Sequence, residues 1–124
     1  MRIWIQLGGL FGGLSVLLGA FGAHSLKDHL TQQKLDVFQT ATQYQFFHSL
    51  ALVLVGILAL QAGEQDRKKI NRAGKFFTAG ILLFSGSLYI LAFDGPRFFG
   101  PITPIGGLSL IIGWSLLAFS ISKK

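Results

Sequence analysis

Residues Ile3 to Ala23 form a run of 21 without one charged side chain. As a helix rising about 1.5 Å per residue, the run is about 31 Å long, the thickness of a bilayer's hydrocarbon core. A cleavable secretory signal is the competing reading, because Arg2 supplies a positive start and Ala20-Phe21-Gly22-Ala23 carries small residues where a peptidase cuts. The run is longer than an ordinary signal core of about 7 to 15 residues, and three further apolar runs follow it, so a retained transmembrane helix is expected. Charged residues make up 13% of the chain and hydrophobic ones 51%, with mean hydropathy +0.56; soluble domains carry about 25% charged residues. The expected surroundings are lipid.

The 124 residues suffice for one domain. The fold class expected is all-α: an integral membrane four-helix bundle whose spans cover about 3–23, 46–62, 75–93 and 104–121, with a short amphipathic helical segment between the first two. Ser25 followed three residues later by Asp28 has capping-box spacing, which predicts a short helix over Leu26–Leu30. Glycine and proline are absent from His24 to Val55, so a helix starting near Thr31 runs unbroken into the second span. Its first part is amphipathic, with Leu35, Val37, Phe38 and Ala41 opposed to Gln32, Asp36, Gln39 and Gln43, and it is expected to enter lipid near Tyr44. Gly63 to Arg72 reads as a polar connector. Asp94-Gly95-Pro96-Arg97 reads as a tight turn in which glycine supplies the positive φ, and Pro101 and Pro104 bracket the start of the fourth helix.

The net charge of +6 raises nucleic acid as a partner, but the basic residues cluster beside apolar runs rather than over a soluble face, so none is expected. With alternating helices, Arg2, Arg67, Lys68, Lys69, Arg72, Lys75, Lys123 and Lys124 fall on one side, against Lys27, Lys34 and Arg97 on the other. The positive-inside rule then places both termini in the cytoplasm. For the polar run Gly63 to Arg72, a cytoplasmic loop obeying that rule is favoured over anionic-lipid or nucleic-acid binding. There is no cysteine, which removes disulfides and thiolate metal sites.

Gly8, Gly12, Ser15, Gly19 and Gly22 recur at steps of four and three, on one face of the first helix. Small residues let backbones approach closely in lipid, where the hydrophobic effect offers helices no preference for one another. Packing within the bundle is favoured over dimerisation. Gly56, Gly86 and Gly113 are the matching packing positions in the other three helices.

Four stretches resemble a known family: Gly19-Ala20-Phe21-Gly22-Ala23-His24, Tyr44-Gln45-Phe46-Phe47-His48-Ser49-Leu50-Ala51-Leu52, Leu83-Phe84-Ser85-Gly86-Ser87-Leu88-Tyr89 and Gly100-Pro101-Ile102-Thr103-Pro104-Ile105-Gly106-Gly107. Together, and in this order across essentially the whole chain, they are similar to the YwdK/YgdD family of small bacterial membrane proteins, domain of unknown function 423. The resemblance implies a four-helix, multi-pass protein of the bacterial plasma membrane. It brings no catalytic residue, substrate or cofactor.

The alternating topology predicts His24, His29, Tyr44, His48, Asp94 and Arg97 at one non-cytoplasmic end, as a polar cap. A structural cap is favoured over a metal or proton site, because a metal needs three converging ligands and no zincin-like spacing is present. Asp94 and Arg97 are expected to bridge their own turn, and Trp114, near the middle of the fourth helix, to pack. No GxSxG, P-loop or dinucleotide fingerprint occurs, so neither an enzyme nor a cofactor site is expected. The function expected is that of a structural or accessory subunit or an assembly factor, in a larger membrane complex or a homo-oligomer. The alternative is an oligomeric channel or transporter for protons or small solutes.

Overall fold

A computed structural model describes residues 2–121; Lys123 and Lys124, counted in the charge argument, lie outside the described residues. Five α-helices follow one another: α1 (Arg2–His24), α2 (Gln32–Gln61), α3 (Glu64–Gly80), α4 (Gly86–Ala92) and α5 (Ile102–Ala118). A π-helical turn, Ile81–Ser85, joins α3 to α4 without a break, and a 3₁₀ turn, Arg97–Phe99, precedes α5. Four units are thereby long and apolar enough to cross a bilayer: Arg2–His24, Gln32–Gln61, Glu64–Ala92 and Arg97–Ala118. No strand occurs among the described residues. The protein is an all-α bundle of four long apolar helices.

Several boundaries differ from those expected. Residues 25–30 turn rather than forming a helix, with the Leu26 carbonyl accepting from both His29 and Leu30 at 3.0 Å. The amphipathic segment is the opening of α2 itself, capped where the Thr31 hydroxyl accepts from the Lys34 amide at 3.2 Å. The polar connector is helical from Glu64 onward, because Glu64 and Asp66 sit in the first turn, where carboxylates complement the helix dipole, and Ile70, Ala73, Gly74 and Phe77 form a buried stripe at helical spacing. Only Ala62 and Gly63, both extended, separate α2 from α3. In the turn after α4 the positive φ belongs to Asp94 (59°) and not to Gly95; aspartate tolerates the left-handed region. Gly95 is required for a different reason, since a Cβ there would lie 2.7 Å from the Ile90 carbonyl oxygen.

Arg67 closes the short α2–α3 connection. Its Nε donates to the Ala59 carbonyl at 3.0 Å and its Nη2 to the Ala62 carbonyl at 2.8 Å, satisfying carbonyls that the end of α2 leaves open. Arg67→Ala is expected to destabilise the protein by about 1 to 2 kcal/mol, the cost of losing hydrogen bonds from a charged donor. Lys68→Ala is the comparison, an exposed neighbour. Thermal unfolding in detergent separates them; equal midpoints would remove Arg67 from this role.

The helices pack mainly in two pairs, α1 with α2 and α3 with α5, and α2 also leans on α3, the π turn and α4. One core cluster brings Trp4 together with Leu52, Val55, Ala59, Ile70, Phe77, Ile81 and Leu110; a smaller one near the other end gathers Leu26, Leu35, Phe38 and Ala92. Close approach depends on particular glycines. A Cβ on Gly8 would lie 2.7 Å from the Ser49 carbonyl oxygen, one on Gly22 2.7 Å from the Phe38 ring, and one on Gly113 2.8 Å from the Phe77 ring. Gly12 has room, with Ser49 Cβ at 3.5 Å; Ser15 is buried and donates to the Gly12 carbonyl; Gly56 is buried. Gly19 and Gly86 differ from expectation. Nothing lies within 4 Å of a Cβ at either, and the same holds for Gly9 and Gly13. A straight helix turns about 100° per residue, so small residues at steps of three and four drift around it and do not all stay on the packed face.

Candidate functional site

The contacts Gly8–Ser49 and Gly22–Phe38 set the antiparallel register of α1 on α2. Gln45 is therefore level with the middle of α1, where its side-chain amide donates to the Phe11 carbonyl at 2.8 Å. Phe38, six residues before the lipid boundary expected at Tyr44, packs against Gly22 of α1 in the same register. The polar residues that suggested that boundary are accommodated locally: Thr40 and Thr42 donate to the carbonyls of Asp36 and Gln39 within their own helix, and Gln39 and Gln43 point outward.

Two polar stations follow from this register. At the first, Gln45, 3% exposed, donates to α1 and accepts from the Tyr89 hydroxyl of α4 at 2.6 Å. One side chain thus ties three helices. Ser49 donates to the Gln45 carbonyl, and Ser85, the last residue of the π turn, donates across to the Ala41 carbonyl at 2.8 Å. Turns of π-helix are frequent at functional positions; here the turn delivers the Ser85 hydroxyl to α2.

At the second station His48, one turn along α2, has both ring nitrogens engaged. Trp114 Nε1 donates to His48 Nε2 at 3.0 Å, and Nδ1 lies 2.7 Å from the Tyr44 carbonyl. An indole nitrogen only donates, so Nε2 is the acceptor and Nδ1 carries the proton that goes to Tyr44. The ring is boxed by aromatics: Tyr44 stacks on it at 6.1 Å, and Phe77 and Trp114 lie at 5.8 Å each. Beside it is a cavity of about 370 Å³ whose lining includes Phe84, Gly107 and Ile111. Trp114 thus does more than pack.

Of the six residues expected to form one polar cap, Tyr44 and His48 stack on each other, but the six do not converge in one cluster. Tyr44 and His48 lie in the body of the bundle. His24 ends α1 and His29 sits in the following turn, both exposed. Since Gly22 faces Phe38 and His48 is ten residues farther along α2, about 15 Å of helix axis separates the two levels. Asp94 pairs with Lys34 of α2 and not with Arg97; Arg97 opens the 3₁₀ turn and is exposed. The Lys34–Asp94 pair is solvent-exposed and so worth at most about 1 kcal/mol. Among the described residues no three His, Asp or Glu side chains are grouped to hold a metal ion. Sequence reasoning missed Gln45 and Tyr89. The available signal was that Gln45, His48 and Ser49 share one face of a helix at i, i+3 and i+4.

Residues 18–107 match a family model described as "Protein of unknown function (DUF423)". The chain belongs to the DUF423 family. Among its relatives, a UPF0382 membrane protein of Staphylococcus aureus is 42% identical over 123 residues, 99% of this chain and 98% of the relative. The UPF0382 membrane protein YwdK of Bacillus subtilis is 40% identical over 123 residues, at 99% and 98% coverage. A UPF0382 membrane protein of Haemophilus influenzae is 41% identical over 121 residues, at 98% and 94%. No solved structure matches the chain. The DUF423 protein described here is a small multi-pass bacterial membrane protein.

Proposed function

We propose that this DUF423 protein works by association, as an accessory or structural subunit or an assembly factor, and carries no catalysis of its own. The observation that carries the reading is the outer face of α1. Of the residues of α1 only Trp4, Gly8, Ser15 and Gly22 are buried, and Gly9 and Gly13, four residues apart, have open space where a Cβ would stand. Small residues at this spacing allow a neighbouring helix to approach closely in lipid. The central polar groups support the same reading, since Gln45, His48, Ser85 and Tyr89 satisfy one another or backbone carbonyls. An oligomeric channel is the second reading, and the cavity beside His48 is what favours it.

The site of action is the plasma membrane, with both termini on the cytoplasmic side. The test uses single replacements in a chain that contains no cysteine. A photoactivatable residue at Gly13 is expected to give a discrete protein adduct in cells, and one at Ile111, exposed on α5, to give none. The adduct's mass distinguishes a second copy from another protein. Gln65→Cys is expected to escape membrane-impermeant thiol reagents in intact cells. Adducts from neither position, together with proton or solute flux in proteoliposomes that His48→Ala abolishes, would transfer the reading to the channel.

A further inference from the structure

We propose that a cavity of about 440 Å³ between α3 and the C-terminal half of α5 holds an anionic phospholipid, with Lys69 and Arg72 on its phosphate, Phe119 at its rim, and Ile112 and Leu116 along its acyl chain. Three observations converge on this occupant. The first is charge: Lys69 and Arg72 lie three residues apart on α3, on neighbouring positions of one face, and both line the cavity, whose remaining lining is Ser115 and the three apolar residues. Among the described residues no carboxylate is in that lining. Asp66, a turn earlier on α3, lines a separate cavity with Leu58, Gln61 and Ile121, and Ser115 spends its proton on the Ile111 carbonyl.

The second is depth. Trp4 Nε1 donates to Asn71 Oδ1 at 2.9 Å, which puts Arg72 level with the start of α1, where the uncharged run begins. Lipid phosphates lie at that boundary, and Lys69 is one turn farther out. The third is direction. Gly113 rests on Phe77, five residues inward of Arg72 along α3, so the cavity runs from the two cations toward the hydrocarbon and its apolar wall lies on the membrane side. Arginine presents a planar fork that matches phosphate oxygens, and lysine adds a second point charge. Phe119 is 80% exposed and stands at the rim, an aromatic at the headgroup level. The cationic run 67–75 therefore contains a built pair as well as an orienting charge.

The test is a titration of the purified full-length protein in mild detergent with phosphatidylglycerol or phosphatidylcholine, read by native mass spectrometry and by the rise in thermal midpoint. Phosphatidylglycerol is expected to bind and stabilise, and phosphatidylcholine to do so far less. Removing two juxtaposed cations with K69Q/R72Q is expected to weaken phosphatidylglycerol by about thirtyfold. K68Q/K75Q removes the same charge from α3 at exposed positions outside the cavity and is expected to leave binding close to that of the parent. Ser115→Trp fills the cavity from an exposed position with the charges intact and is expected to weaken binding as K69Q/R72Q does. Equal losses in the two charge-removing variants, undiminished binding in Ser115→Trp, or full competition by inorganic phosphate would each overturn the proposal.

Discussion

Gly106→Ala lowers the stability of the protein by about 1 to 3 kcal/mol, the cost of forcing an extra methyl into a packed interface, while Gly107→Ala, one residue on, leaves it unchanged or raises it. A Cβ on Gly106 would lie 2.7 Å from the Phe84 Cα and 2.8 Å from the Leu83 carbonyl carbon. These are backbone atoms of the π turn, and no rotamer change moves them away. Relief requires α5 to shift from the segment that carries Ser85 to α2, so the hydrogen bond from Ser85 to the Ala41 carbonyl is strained along with the packing. At Gly107 the nearest atom is Phe84 Cδ1 at 3.6 Å, an ordinary contact, and alanine brings up to about 1 kcal/mol of helix propensity. Thermal unfolding of both variants in one detergent decides the matter. Similar midpoints for the pair would mean that α5 is not held against the π turn at this distance.

The second large effect is expected at Gln45. Tyr89→Phe leaves the Gln45 side-chain oxygen Oε1 without its donor at a position 3% exposed, and Gln45→Leu strands the Tyr89 hydroxyl while also releasing the Phe11 carbonyl. An orphaned buried polar group costs about 1 to 3 kcal/mol, and hydrogen bonds between membrane helices average about 0.6 kcal/mol and reach about 1.7 kcal/mol. Each single variant is therefore expected to lose about 1 to 2 kcal/mol. The double variant Q45L/Y89F leaves no orphan between those two positions, so it is expected to lose less than the sum of the singles. A double-mutant cycle on detergent-solubilised protein measures the coupling. Additive losses would show that the Tyr89 hydroxyl does not depend on Gln45.

The His48 station was legible only in part. Tyr44 and His48 are visible as a pair one turn apart, and their ring stacking follows from that spacing. That His48 answers to Trp114, 66 residues away in sequence, is a property of the fold. The grouping of His48 with His24 failed because α2 is 30 residues long, longer than a bilayer needs, and nothing local says which part of it lies opposite α1. Lys34 and Asp94 show the same limit, being 60 residues apart and joined only because the turn after α4 comes down beside the start of α2.

The four long apolar helices, their order and the absence of any need for strands could be read from the chain because a bilayer imposes a local rule. Every backbone N–H and C=O in lipid must be satisfied within its own segment, so the length and apolarity of a run already dictate a spanning helix. The side each helix turns inward, and the level at which it sits, are not governed by such a rule. Lipid tails are as apolar as leucine and give no helix face a preference for protein over membrane. The choice is made by close fits that exist only once the helices meet: Gly8 against the Ser49 carbonyl while Gly9 faces outward, and Gly106 against Phe84 while Gly107 keeps its distance. The same tertiary register carried Gln45 to the centre of the bundle, beside Tyr89 and Phe11, and set Lys69 and Arg72 over an apolar wall at the membrane boundary.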